Sequence, residues 1–241
     1  MKLIVVFTVV FTVVIAALGI ARAADSPGPP LDSIDQRMEA CAPCHGKEGR
    51  ATNDGYYPRI AGKPAGYLYN QLLNFRDGRR QFPQMQYFTE RQNESYLREI
   101  AAYFASQHLP YPAPQVSKVD STGLARGRVL VTQGDPEKQI PACSACHGER
   151  LMGVAPAVPG LVGLSHDYLV GQLGAWRNGS RRAQTPDCMA DIVLHMNQQD
   201  VAAATAWLAS QSVPDDAAPE NDFAKPPPIA CGSIRNAEPA P

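Results

Sequence analysis

Between Asn93 and Gln107 the apolar residues Leu97, Ile100, Ala101 and Phe104 recur at the spacing that gathers side chains on one helix face. The pattern predicts a helix there, with Asn93 available as its N-cap. The stretch from Asn197 to Gln211 repeats the arrangement. Two earlier helices are predicted in each half of the chain. One leads into a Cys-containing segment, over Asp32–Ala42 and again over Ser121–Gln133. The other begins near Pro64 or Ser165-His166 and ends at Gly78 or Gly179, where glycine suits a helix C-terminus.

The recurrence extends to individual residues. Tyr67-Leu68 and Gln71-Leu72 return as Tyr168-Leu169 and Gln172-Leu173, and Arg76-Asp77-Gly78 returns as Arg177-Asn178-Gly179 with Phe75 matched by Trp176. Pro58, Ile60 and Gly62 are matched by Pro159, Leu161 and Gly163 at the same interval of 101 positions. The segment Ala102–Gln107 returns as Ala206–Gln211, now 104 positions on, so one small insertion separates the blocks. This is the signature of a tandem duplication.

An apolar run, Leu3–Ile20, follows Lys2 and leads to Ala21-Arg22-Ala23. It reads as an export signal cleaved before Ala24; a retained membrane anchor is the alternative reading. The expected organisation is a signal peptide over 1–23, one domain over 24–109, a Pro-rich linker over 110–118, a second domain over 119–213 and an acidic Pro/Ala-rich tail over 214–241. The formal charge of the whole chain is −1, and loss of Lys2 and Arg22 makes it more negative. No basic stripe suggests a nucleic-acid partner.

Candidate chemistry enters with a pentapeptide present twice, Cys41-Ala42-Pro43-Cys44-His45 and Cys143-Ser144-Ala145-Cys146-His147. Covalent haem attachment requires this spacing: two thiols form thioethers with the haem vinyl groups, and the adjoining histidine becomes the proximal iron ligand. A zinc ribbon would need its two cysteine pairs much closer together, and a thioredoxin-type dithiol would need an α/β setting. Two haem c groups are therefore the expected cofactors, held by Cys41, Cys44, Cys143 and Cys146, with His45 and His147 on the iron.

The second axial ligand must come from chain that can wrap to the opposite haem face. Met85 lies well past His45, and Met189 occupies the equivalent position 104 residues on, each before the last helix of its half. Both are candidate iron ligands; the competing reading is that they fill core gaps. Met38, Met152 and Met196 lack repeat partners, and so do His108, His166 and His195. Pro58 and Pro159 are candidates to accept the Nδ1–H of the proximal histidines. Tyr67, Phe75, Tyr168 and Trp176 are expected to wall the haems.

These motifs resemble the dihaem cytochrome c4 family over about residues 33–212. The resemblance implies a mainly α fold of two tandem cytochrome c-like domains, each wrapping one covalently bound haem and related by a pseudo-twofold axis. It also implies a periplasmic shuttle that takes single electrons from a quinol-oxidising complex or dehydrogenase and delivers them to a terminal oxidase or reductase. The expected partners are membrane-bound redox complexes, a quinol oxidoreductase and a haem-copper oxidase, with no small-molecule substrate.

The chain departs from the family pattern in its C-terminal tail and in two further cysteines, Cys188 and Cys231. In an oxidising compartment an even leftover pair suggests a disulfide. A free Cys188 thiolate would instead compete with Met189 for iron. That is the basis of the main alternative, a dihaem enzyme such as a thiosulfate dehydrogenase or a peroxidase-like protein. A cytochrome subunit of a membrane-bound dehydrogenase is the third reading.

Overall fold

The computed structural model describes residues 32–235. The signal peptide or anchor read over 1–23 lies outside them. Among the described residues, no helix is long and apolar enough to cross a membrane. The fold is mainly α, with one two-stranded hairpin.

In the first half, α1 (Ile34–Met38) is capped by Ser33, whose hydroxyl accepts from the Gln36 amide. The predicted helix over Asp32–Ala42 breaks after α1 into a 3₁₀ turn, and α2 (Ala42–His45) carries the end of the Cys-X-X-Cys-His motif. Pro43 explains the break: it has no N–H to give the Glu39 carbonyl, so an α-helix cannot run through it. Helix α3 (Ala65–Arg76) is followed by Gly78 at φ +73°, a left-handed C-terminal stop. Helices α4 (Pro83–Thr89) and α5 (Glu94–Ala105) complete this half, α5 being capped by Asn93. Its core joins Met38, Leu68, Ala101 and Phe104 from α1, α3 and α5.

The second half repeats the plan. Helix α6 (Ser121–Thr132) leads to α7 (Ser144–His147), then to a hairpin of β1 (Gly153–Val154) and β2 (Val158–Pro159) that pairs Gly153 with Pro159. Helices α8 (His166–Arg177), α9 (Cys188–His195) and α10 (Gln198–Ala209) follow. Asn197 and Asp200 form a reciprocal capping box at the start of α10. Helices α6 and α10 cross closely at Gly127, where an added Cβ would stand 2.1 Å from the Ala203 carbonyl oxygen. The core of this half is larger, built on Leu130, Val131, Ile140, Leu169, Val201 and Leu208. Met152 and Met196 are buried in it.

The segment expected as a tail is tied down. Glu220 pairs with the β1 edge, its amide donating to Gly153 O at 2.9 Å and its carbonyl accepting from Ala155 N at 2.7 Å. Arg150 donates to the Asp216 carbonyl at 2.7 Å and forms an ion pair with the Asp216 carboxylate. The chain then reaches the short helix α11 (Gly232–Arg235), where the Ser233 carbonyl accepts from Asn70 of α3 at 3.2 Å. One cover therefore touches both halves.

Candidate functional site

A cavity of about 590 Å³ runs between the two halves. Every residue singled out for haem chemistry lines it: Cys41, Cys44, His45, Pro58 and Met85 from one half, and Cys143, Cys146, His147, Pro159 and Met189 from the other. Tyr67, Phe75, Tyr168 and Trp176 contribute to its wall. Among the described residues, His45 and His147 are the histidines on that lining, whereas Met38 and Met196 also reach it from the cores.

Each histidine ends a short helix and is held by a prolyl carbonyl. His45 Nδ1 lies 3.0 Å from Pro58 O, and His147 Nδ1 lies 2.7 Å from Pro159 O. A carbonyl only accepts, so Nδ1 carries the proton and Nε2 keeps the free lone pair. Burial pushes both imidazoles below their ordinary value, His147 to about 4. Neutral imidazoles with a free Nε2 are suited to bind iron. Met85 and Met189 sit in the first turns of α4 and α9, two helices that residue patterning did not reveal because each is short. Pro83 in the first turn and Asp187 as N-cap were the local signals for them.

Burial raises the Cys41 and Cys146 thiols and lifts Cys143 to about 12. These thiols are kept protonated in an apolar wall, unlike the activated thiolates of dithiol redox sites. Nor do the cysteines converge as a zinc ribbon requires. Among the described residues, no group of three or more His, Cys, Asp or Glu side chains stands where it could hold a metal ion. Cys188 is disulfide-bonded to Cys231, with Cα atoms 5.0 Å apart. Its sulfur is taken, which removes the free thiolate on which a cysteine-ligated iron would depend.

A polar network that sequence reasoning missed closes the cavity where the halves meet. Arg80 donates to Gln71, Tyr168 and Gln172, and Arg181 donates to Gln172, Gln71 and Tyr67. Each guanidinium stacks on the repeat-equivalent aromatic ring, Arg80 on Phe75 and Arg181 on Trp176. Arg181 is buried, and burial followed by the neighbouring Arg80 charge lowers its pKa. Among the described residues no carboxylate pairs with either arginine. The same interval that matches Tyr67 with Tyr168 also matches Arg80 with Arg181, so the repeat contained the signal.

No family model matches the chain. It is 36% identical over 173 residues to a thiosulfate dehydrogenase electron acceptor of Stutzerimonas stutzeri, covering 71% of this chain and 78% of that one. It is 30% identical to a cytochrome c4 of Pseudomonas aeruginosa, covering 71% of this chain and 84% of the relative. The chain belongs to the dihaem cytochrome c4 family. Among solved structures, a thiosulfate dehydrogenase from Marichromatium purpuratum superposes with a TM-score of 0.64 at 32% identity over 72% of this chain. This cytochrome spans 36% of that longer protein.

It is accordingly a dihaem electron-transfer cytochrome with two covalently bound haem c groups. The cavity fits such groups on its own chemistry. Its wall is largely apolar and aromatic, and it presents two neutral imidazoles. It also holds two arginines, Arg80 and Arg181, that among the described residues have no acidic partner and whose charge haem propionates would balance. The buried Trp176 Nε1 also lacks a hydrogen-bond partner among the described residues, which a propionate oxygen would satisfy.

Proposed function

We propose that this cytochrome is the periplasmic electron acceptor of a thiosulfate-oxidising dehydrogenase and passes electrons singly to a membrane-bound haem-copper oxidase. The observation that carries the carrier reading is the complete donor set, present twice on one cavity. The names of two relatives, each a thiosulfate dehydrogenase electron acceptor, support the donor class. A quinol-oxidising complex is the other donor class for a protein of this kind.

In this mechanism the haem irons supply the one-electron couple. Cys41, Cys44, Cys143 and Cys146 would anchor the two groups, and His45, Met85, His147 and Met189 would fill the axial positions. With both positions filled by protein, coordination stays the same in either oxidation state. Pro58 and Pro159 orient the imidazoles through Nδ1, and the aromatic walls keep water from the site. Arg80 and Arg181 would balance the negative charge of the bound groups at the junction of the halves.

The similarity to a thiosulfate dehydrogenase favours one competing reading, that this chain itself oxidises thiosulfate. One experiment separates the two. The oxidised dihaem protein is mixed with thiosulfate, with and without a thiosulfate dehydrogenase, and haem reduction is followed optically. Reduction only with the dehydrogenase supports the acceptor. Reduction by thiosulfate alone makes the chain an enzyme, and none in either mixture overturns the proposed donor.

A further inference from the structure

Lys63 belongs to the first half but serves the second. Its side chain is buried, 4% exposed, and Nζ donates to the Gly160 carbonyl at 2.9 Å. Gly160 directly follows Pro159, the residue whose carbonyl holds His147. Among the described residues no carboxylate pairs with Lys63. The nearby Arg59 is engaged elsewhere, donating to the Leu109 and Pro110 carbonyls and stacking on Tyr111.

The duplication provides the comparison. The position equivalent to Lys63 is Leu164, and that equivalent to Arg59 is Gly160, so the second half sends no such cation beneath His45. Arg80 and Arg181 are matched and cancel between the halves.

We propose that Lys63 is a cross-domain positioning and tuning residue that raises the reduction potential of the second-half haem. This rests on the assignment of His147 as an iron ligand. Burial lowers the Lys63 ammonium to about 7, so below neutrality it carries a positive charge; in a low-dielectric wall that charge opposes the further positive charge of ferric iron and favours the ferrous form nearby.

The test is an optical redox titration at about pH 6, where Lys63 is charged, of the dihaem protein and its Lys63→Met and Lys63→Gln variants, with resolved haem-methyl NMR lines assigning each wave. The Gln variant keeps a donor for the Gly160 carbonyl without the charge. Both variants are expected to lower the second-half wave by roughly a tenfold change in its equilibrium, about 59 mV for one electron, and to leave the other in place. Equal movement of both waves, movement of neither, or a Gln variant that behaves as wild type overturns the proposal. The wild-type titration comes first: if it lacks two haems or the methionine-to-ferric-iron band, the ligand assignment fails, and the proposal fails with it.

Discussion

Arg80 and Arg181 face each other across the junction of the halves in an antiparallel backbone bridge. Two like charges meet at the point where the duplication folds back on itself. Flanking bonds repeat the symmetry, Gln81 N donating to Ser180 O and Arg182 N to Arg79 O, each at 2.7 Å. Gln71 and Gln172 each accept from both guanidiniums, so neither arginine can be removed without disturbing the partners of the other.

That sharing leads to a non-additive result. Arg181→Met is expected to destabilise the protein by about 2–3 kcal/mol, because it strips charge-assisted bonds from a buried group. The double variant with Arg80→Met is expected to cost less than the sum of the singles, since the second change also removes a repulsion. Denaturant melts of the four proteins measure the coupling; strict additivity would show that the two arginines act independently.

The methionines give a direct spectroscopic outcome. Met85→Ala is expected to abolish the long-wavelength methionine-to-ferric-iron band of one haem and to lower that haem's potential, with the other unchanged. Met189→Ala is expected to do the same for the second. A full band from both haems in either variant would make that methionine a core residue of α4 or α9.

Much of this site was legible because the chain states it twice. The repeated Cys-X-X-Cys-His motif named the cofactor, and the 104-residue interval marked Met85 and Met189 as candidates among six methionines, both of which line the cavity. Pro58 and Pro159 were found the same way, and their carbonyls do hold the histidines. What stayed hidden depends on tertiary meeting. Arg80 and Arg181 resemble solvated charges along the chain, and only the packing of the halves brings them together. Lys63 breaks the repeat, so a search for matches passes over it. The tail reads as Pro-rich and acidic; its disulfide to Cys188 was expected from the leftover cysteine pair, whereas the pairing of Glu220 with β1 was not.

The bond between Cys188 and Cys231 closes a sequence separation of 43 residues. In the chain-entropy model such a closure stabilises by about 3–4 kcal/mol. Cys231→Ser is expected to lose that much in a denaturant melt while retaining both haems. Because Arg150 and Glu220 still hold the tail upstream, limited chymotrypsin digestion should cut the variant after Phe223 but spare the segment before Glu220. Cleavage after Phe223 in the wild type at an equal rate would show that the bond does not hold the cover down.

Acid stability turns on Asp200, 3% exposed at the start of α10. Burial by itself would raise this carboxyl, but bonds from Lys138, Arg126 and the Asn197 amide outweigh it and hold it below the ordinary value. Lys138 Nζ and Arg126 Nη2 each donate to it at 2.7 Å. A carboxyl depressed in the folded state binds its proton more weakly there than in the unfolded chain. Its contribution is therefore complete above the unfolded value near 3.8 and is lost as pH falls through the lower folded value. Thermal melts should be flat in this respect near neutrality and decline below about pH 4. Asp200→Asn should cost about 1.5–3 kcal/mol at pH 7 and remove part of that decline. An unchanged acid limb in the variant would move the acid sensitivity elsewhere, with Asp135 on the same arginine as the next group to test.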